Sequence, residues 1–190
     1  MTTPQLFRLA GWSAYLSVAA MFAAGIFPII SVNGLVGKLE NLAAITLALS
    51  MLPLALVLHQ LYNKPHPRII LAATLIGMIA MLVAAGVKSL ILIDAISPEG
   101  VADLLDDLSF AVIGVWLILV GCLGWFSRTP AAGLAGMALI AGIGQVLVTS
   151  GFLISEPPPL WALAGGGVTV IAYPIWAITM GRWLLRSSTA

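Results

Sequence analysis

Charge is what this sequence has least of. Its eight bases and seven acids are only 8% of 190 residues, against about a quarter in soluble domains, and 61% of the chain is hydrophobic. That excludes an ordinary water-soluble core and assigns the length to apolar spans. A single cysteine, Cys122, excludes an intrachain disulfide and any multi-cysteine metal site, and in its apolar run it reads as a small hydrophobe. Only His59 and His66 are histidines, and only His59 lies in an apolar run. Haem held in the membrane by two histidines therefore lacks its second ligand, and no cofactor or metal is expected. The apolar runs hold no Ser-His-acid set and no carboxylate pair. Gly165-Gly166-Gly167 lacks the strand-turn-helix context of a phosphate loop. The bases are too dispersed for nucleic-acid binding. Nothing here supports an enzyme.

What remains is greasy length. Six runs can cross a bilayer: about 8–31, 39–62, 68–96, 104–127, 131–154 and 160–185. The expected fold is all-α, a single transmembrane domain over 1–190 with six helices. The first run has only Arg8 ahead of it and is too long for a signal-peptide core, so it reads as an uncleaved span. Short connections carry Gly or Pro where a helix must stop: VNGLVGK, NKPHPR, SRTP and SEPPP. The third connection is longer. Ser97-Pro98 suggests a cap and a proline at the first helical position, followed by Val101, Leu104, Leu105 and Leu108 opposite Glu99, Asp103, Asp106 and Asp107. That pattern predicts a short interfacial helix leading into the fourth span.

The few charges are sorted. With six crossings, Arg8, Lys64, Arg68, Arg128, Arg182 and Arg186 share one side with no acid. Glu40, Asp94, Glu99, Asp103, Asp106, Asp107 and Glu156 share the other with Lys38 and Lys88. The lysine and arginine bias places both termini in the cytoplasm of a plasma membrane. Trp12, Tyr62, Trp125 and Trp183 fall near the inner boundary and Phe27, Phe110, Phe152 and Trp161 near the outer one, as interfacial belts, while Trp116 and Trp176 fall near mid-membrane. Arg8, Arg68 and Arg128 recur every 60 residues, which equal-length hairpins explain without a repeat.

The third span, Arg68 to Ile96, makes a helix of about 43 Å. Thr74, Gly77, Met81, Ala84 and Lys88 share one small or polar face, and Ile79, Leu82, Val83 and Leu90 point elsewhere. Lys88 is the leading candidate for a ligand or ion site, because a charge inside a span is costly and so calls for a function. Its depth also allows an interfacial lysine whose stem snorkels to the boundary and pairs with Asp94 or Asp106. Asp103, Asp106 and Asp107, three and four residues apart, are a candidate outer cation face, or a solvated helix face. Gln145, with Gly142 and Thr149 on its face, could bond a ligand or a neighbouring helix. Pairs such as Ser13 with Ser17, and Thr46 with Ser50, read as helix packing. The glycines and alanines of the fifth span mark it as the most enclosed. Pro53 and Pro174 lie inside the second and sixth spans, where each removes a backbone hydrogen bond, and are candidate hinges.

The runs RLAGWSAYLSVAAMFAAGIF and YPIWAITMGRWLLR, the latter with Tyr173-Pro174-Ile175-Trp176 and then Gly181-Arg182, resemble uncharacterised bacterial six-helix membrane proteins grouped as domains of unknown function. The resemblance implies a bacterial plasma-membrane protein of about this size and carries no catalytic residue. Three functions are compatible with these readings. The first is a non-enzymatic accessory, sensor or apolar-ligand-binding bundle. The second is a small carrier or channel using Lys88 and a hinged sixth helix, and the third a lipid-modifying enzyme. The expected partners are the lipid bilayer and a membrane-protein partner or second copy. Cysteines placed at Glu99 and Arg128 in a Cys122→Ser background are expected to react with impermeant thiol reagents from opposite sides of the membrane; labelling from one side would break the charge argument.

Overall fold

A computed structural model of the chain describes residues 3–30, 34–64, 66–128, 131–155 and 157–189. The side chains of Phe27 and Pro28, the acid Glu156 and the connecting residues 31–33, 65 and 129–130 lie outside that description. Among the described residues six α-helices make up the fold: α1 (Thr3–Ile30), α2 (Gly34–Tyr62), α3 (Pro67–Leu92), α4 (Val101–Ser127), α5 (Ala132–Ile154) and α6 (Leu160–Ser187). Each is long and apolar enough to cross a membrane. Large hydrophobic side chains cover the outside, with Leu71, Ile79, Leu104, Ile143 and Ile171 among the exposed. An aqueous exterior would not tolerate that surface; a hydrocarbon one does.

The helices pack in chain order, each on the next, and α6 closes the ring on α1. One further contact crosses it, between α2 and α4. That contact pushes α3 to the outside, where it lies behind the α2–α4 seam, and leaves α1, α2, α4, α5 and α6 around the centre. Small residues bring the backbones together, since helices in lipid gain little from hydrophobic association alone. A Cβ at Gly121 would sit 2.7 Å from the Leu139 nitrogen, and one at Gly142 would sit 2.6 Å from the Gly114 oxygen. Across the next seam, Cβ atoms at Gly144 and Gly165 would each fall within 3 Å of the opposing helix. Gly11 and Gly181 close α1 on α6 in the same way. On α3 the notch at Gly77 receives the indole of Trp116, whose Nε1 is buried without a partner.

Several boundaries differ from the sequence expectation. Helix α3 stops at Leu92 rather than Ile96. Asp94 takes the left-handed conformation at φ 58° and donates its N–H to Ile91, and Ala95 donates to the Leu90 carbonyl. This is the reverse-turn cap usually built on glycine, with an aspartate in its place. Helix α4 begins at Val101 after Gly100 at φ 68°, so Pro98 is not helical. The segment read as an interfacial helix running into the fourth span is continuous with α4: Val101, Leu104, Leu105 and Leu108 are exposed while Ala102, Asp106 and Ser109 face inward. In lipid the apolar stripe is the outer one.

Helix α5 is not the most enclosed. A third of its best span is buried, the lowest share of the six, because its small residues serve two seams while Ile140, Ile143 and Leu147 face out. Tyr62, at 2% exposure, and the partly buried Phe110 belong to the interior rather than to the aromatic belts. Trp12, Trp125, Phe152 and Trp161 are exposed as expected, and Trp116 and Trp176 are core residues.

Gly142→Val is expected to destabilise the bundle by about 1–3 kcal/mol through overpacking, whereas Gly133→Ala, which meets nothing within 4 Å, should be neutral or slightly stabilising. Equilibrium unfolding in mixed detergent micelles measures both, and equal effects would contradict the packing described.

Candidate functional site

Two polar constellations are built into the ring, and the sequence candidates divide between them. The first is on the α3–α4 seam. Small residues at Gly77 and Ala84 let α3 lie against α2 and α4, with Thr74 and Met81 also buried on that face as the spacing predicts. Lys88 continues the face one turn before the helix ends. Its Nζ lies 3.0 Å from Asp106 Oδ2, the two side chains being 18% and 12% exposed. The other carboxylate oxygen, Asp106 Oδ1, is buried with no partner. Lys88 therefore does not line the central cavity but points sideways into a seam.

The remaining acids are elsewhere. Asp94 pairs with Lys38 of α2 at 2.8 Å, both well exposed, which ties the α3–α4 connection to the head of α2. Asp103 is exposed and Asp107 half-buried while Asp106 turns inward. Among the described residues no three His, Cys, Asp or Glu side chains gather as metal ligands, and the three aspartates face different ways. Helix geometry separates them: residues three and four apart are neighbours, but the lysine draws only the middle one inward.

The second constellation is a cavity of about 50 Å³ at the middle of the bundle, lined from five helices and not by α3. Met21, Leu47, Met51, Phe110, Ile113 and Leu117 supply its apolar wall, and Gln145, Thr169 and Tyr173 its polar one. Gly114 makes room for the glutamine: a Cβ there would stand 3.1 Å from Gln145 Cβ. The Thr169 hydroxyl is 3.1 Å from the Gly165 carbonyl of its own helix and 3.3 Å from that of Ala141 on α5. Tyr173 donates to Ser17 Oγ at 2.8 Å, and Ser17 donates to the Ala14 carbonyl at 2.8 Å, linking α6 to α1. The Gln145 amide makes no hydrogen bond to a neighbouring helix. It is free to donate twice and accept into the cavity.

Pro53 and Pro174 both lie within unbroken helices. Pro174 directly follows the cavity residue Tyr173, and having no N–H it leaves the Val170 carbonyl without its helical donor. His59, in the last turn of α2, stands with Nδ1 3.4 Å from Thr74 Oγ1. Thr46, Ser50 and Thr149 bond carbonyls of their own helices, as packing residues do.

Sequence reading found Lys88, Gln145 and the possible Asp106 partner, but not Thr169 and Tyr173 as cavity residues. Their four-residue spacing with Gly165 was a usable signal for one face of α6. Nothing local marked Met21, Met51 or Phe110. Taken together, fold and sites define an α-helical bundle of the multi-pass membrane class. No family model, curated protein or solved structure matches the chain.

Lys88→Ala leaves a buried carboxylate unpaired and is expected to cost about 3 kcal/mol. The double change Lys88→Met with Asp106→Leu should recover most of that, while Lys38→Ala, in an exposed pair, changes little. A double-mutant cycle on unfolding in detergent reads the coupling, and a cycle near zero would deny the ion pair its role.

Proposed function

We propose that this chain is a non-enzymatic bacterial plasma-membrane protein, an accessory or sensor bundle that holds a small, largely apolar ligand in its central cavity. The cavity is the observation that carries the reading: six apolar side chains and one unengaged amide meet where five helices converge. Drug-sized ligands occupy about 300–1,000 Å³, so a space of about 50 Å³ admits a molecule of only a few heavy atoms. No lysine, arginine, histidine or carboxylate lines it, which disfavours an ion as its occupant.

The bias of basic residues supports cytoplasmic termini. On that orientation the head of α4, with Asp103, Asp106 and Asp107, lies at the outer headgroup level. The YPIW run followed by Gly181-Arg182 supports the bacterial assignment through its resemblance. An accessory role implies a membrane-protein partner or a second copy, recoverable by gentle detergent extraction.

A small carrier is the second reading, favoured by the position of Pro174 beside Tyr173, since bending α6 there would reshape the cavity. It uses Gln145, the hinge and Lys88, and in reconstituted vesicles Lys88→Ala would abolish its flux.

The ligand-binding reading is tested with methionine methyl resonances in detergent micelles under xenon. Met21 and Met51 line the cavity and should shift saturably, whereas Met81 and Met180, buried outside its lining, should not. Equal, unsaturable shifts at all four would remove the cavity as a binding site.

A further inference from the structure

The outer side of the α3–α4 seam is hollow over much of its length. One hollow of about 310 Å³ runs over Ile79, Ala80 and Val83 of α3 and Leu105 and Ser109 of α4. A second, of about 430 Å³, continues past Val87 and Leu90 to Ser97 and Glu99. Leu105 walls both, so the two hollows adjoin end to end along one seam and together make a groove. From Ile76 to Leu90 it extends about 21 Å, more than the roughly 15 Å of one hydrocarbon leaflet.

The other outward hollows differ at their ends. Those on α5–α6 and α1–α2 have no ionisable side chain in their lining. At the mouth of the α3–α4 groove stands Glu99, exposed, with Asp103 exposed one turn away. Neither acid takes part in an ion pair among the described residues, and Lys88 of α3 is committed to Asp106 on the inward side. An apolar trough as deep as a leaflet, opening on uncompensated carboxylates, suits an amphiphile with a long acyl chain and a positively charged, hydrogen-donating head.

The geometry points to a phospholipid site on the α3–α4 seam: an acyl chain lies in the groove walled by Leu105, and a primary-ammonium headgroup meets the Glu99 carboxylate. The occupant is a phosphatidylethanolamine-type lipid of the leaflet at the acid-rich end. An anionic headgroup of the phosphatidylglycerol type meets like charge there and is disfavoured. This site is separate from the central cavity and does not depend on a ligand there, because α3 takes no part in lining that cavity.

The test is native mass spectrometry of the full chain released from detergent, with phosphatidylethanolamine and phosphatidylglycerol of identical acyl chains at equal concentration. The wild type is expected to retain the ethanolamine lipid about fivefold over the glycerol lipid, as one charge-assisted contact allows. Glu99→Gln should bring the two lipids close to parity while leaving total lipid bound unchanged. Leu105→Trp, at an outward position that tolerates bulk, should lower total lipid bound and remove the preference. Equal retention by the wild type, a preference that survives Glu99→Gln, or occupancy indifferent to Leu105→Trp would each overturn the assignment. Both substitutions are at exposed positions, so folding is not at stake in either.

Discussion

Backbone approach at glycine is the constraint on which this structure rests. Where Gly121 and Gly142 hold α5 to α4, Gly144 and Gly165 hold α6 to α5, and Gly11 and Gly181 return α6 to α1, a methyl group has no place to go. Helices surrounded by lipid have no water to expel from between them, so dispersion contacts and short carbonyl approaches must do most of the holding. Closing the ring this tightly on one side leaves the opposite side to accommodate the bulk. There Trp116 occupies the notch at Gly77, α2 meets α4, and α3 is displaced outward.

That displacement explains why the polar residues form two groups rather than one. Five helices enclose the small cavity with Gln145, Thr169 and Tyr173, and the sixth carries its lysine to a lateral pairing with Asp106. The pair spares each partner an uncompensated charge at the end of a span, where water is scarce. Phe110, one turn from Asp106, contributes to the cavity wall and packs beside Ala84 and Ala85. It stands between the two constellations and keeps them chemically distinct.

Much of the architecture was legible in the residues because membrane spans announce themselves by length and by missing charge. The small face of α3 followed from three- and four-residue spacing, and Lys88 stood out because charge is rare in such helices. Helix order was not legible: nothing in a run of leucines says which neighbour it will touch, and the ring with its cross-contact emerged only from packing. Which side of the head of α4 meets its neighbours was not legible. Alternation of Val101, Leu104 and Leu105 with aspartates describes an amphipathic helix equally well whether water or lipid bathes the apolar side. The fifth span was misjudged because small residues report closeness to neighbours, not the fraction of a helix that is covered. For Gln145 the sequence left two outcomes, a ligand or a neighbouring helix, and its place in the cavity lining came only from packing.

Packing in chain order also bears on how such a molecule comes to be made. Five of the six lateral seams join consecutive helices, so each can form as soon as the later helix leaves the insertion machinery, with no waiting and no rearrangement of those already placed. Only the α6–α1 seam must await the sixth helix, and it is there that Tyr173 reaches Ser17 across 156 residues of chain. Until that bond forms, the first five helices are an open arc whose central residues face lipid, and the ring closes when α6 latches onto α1.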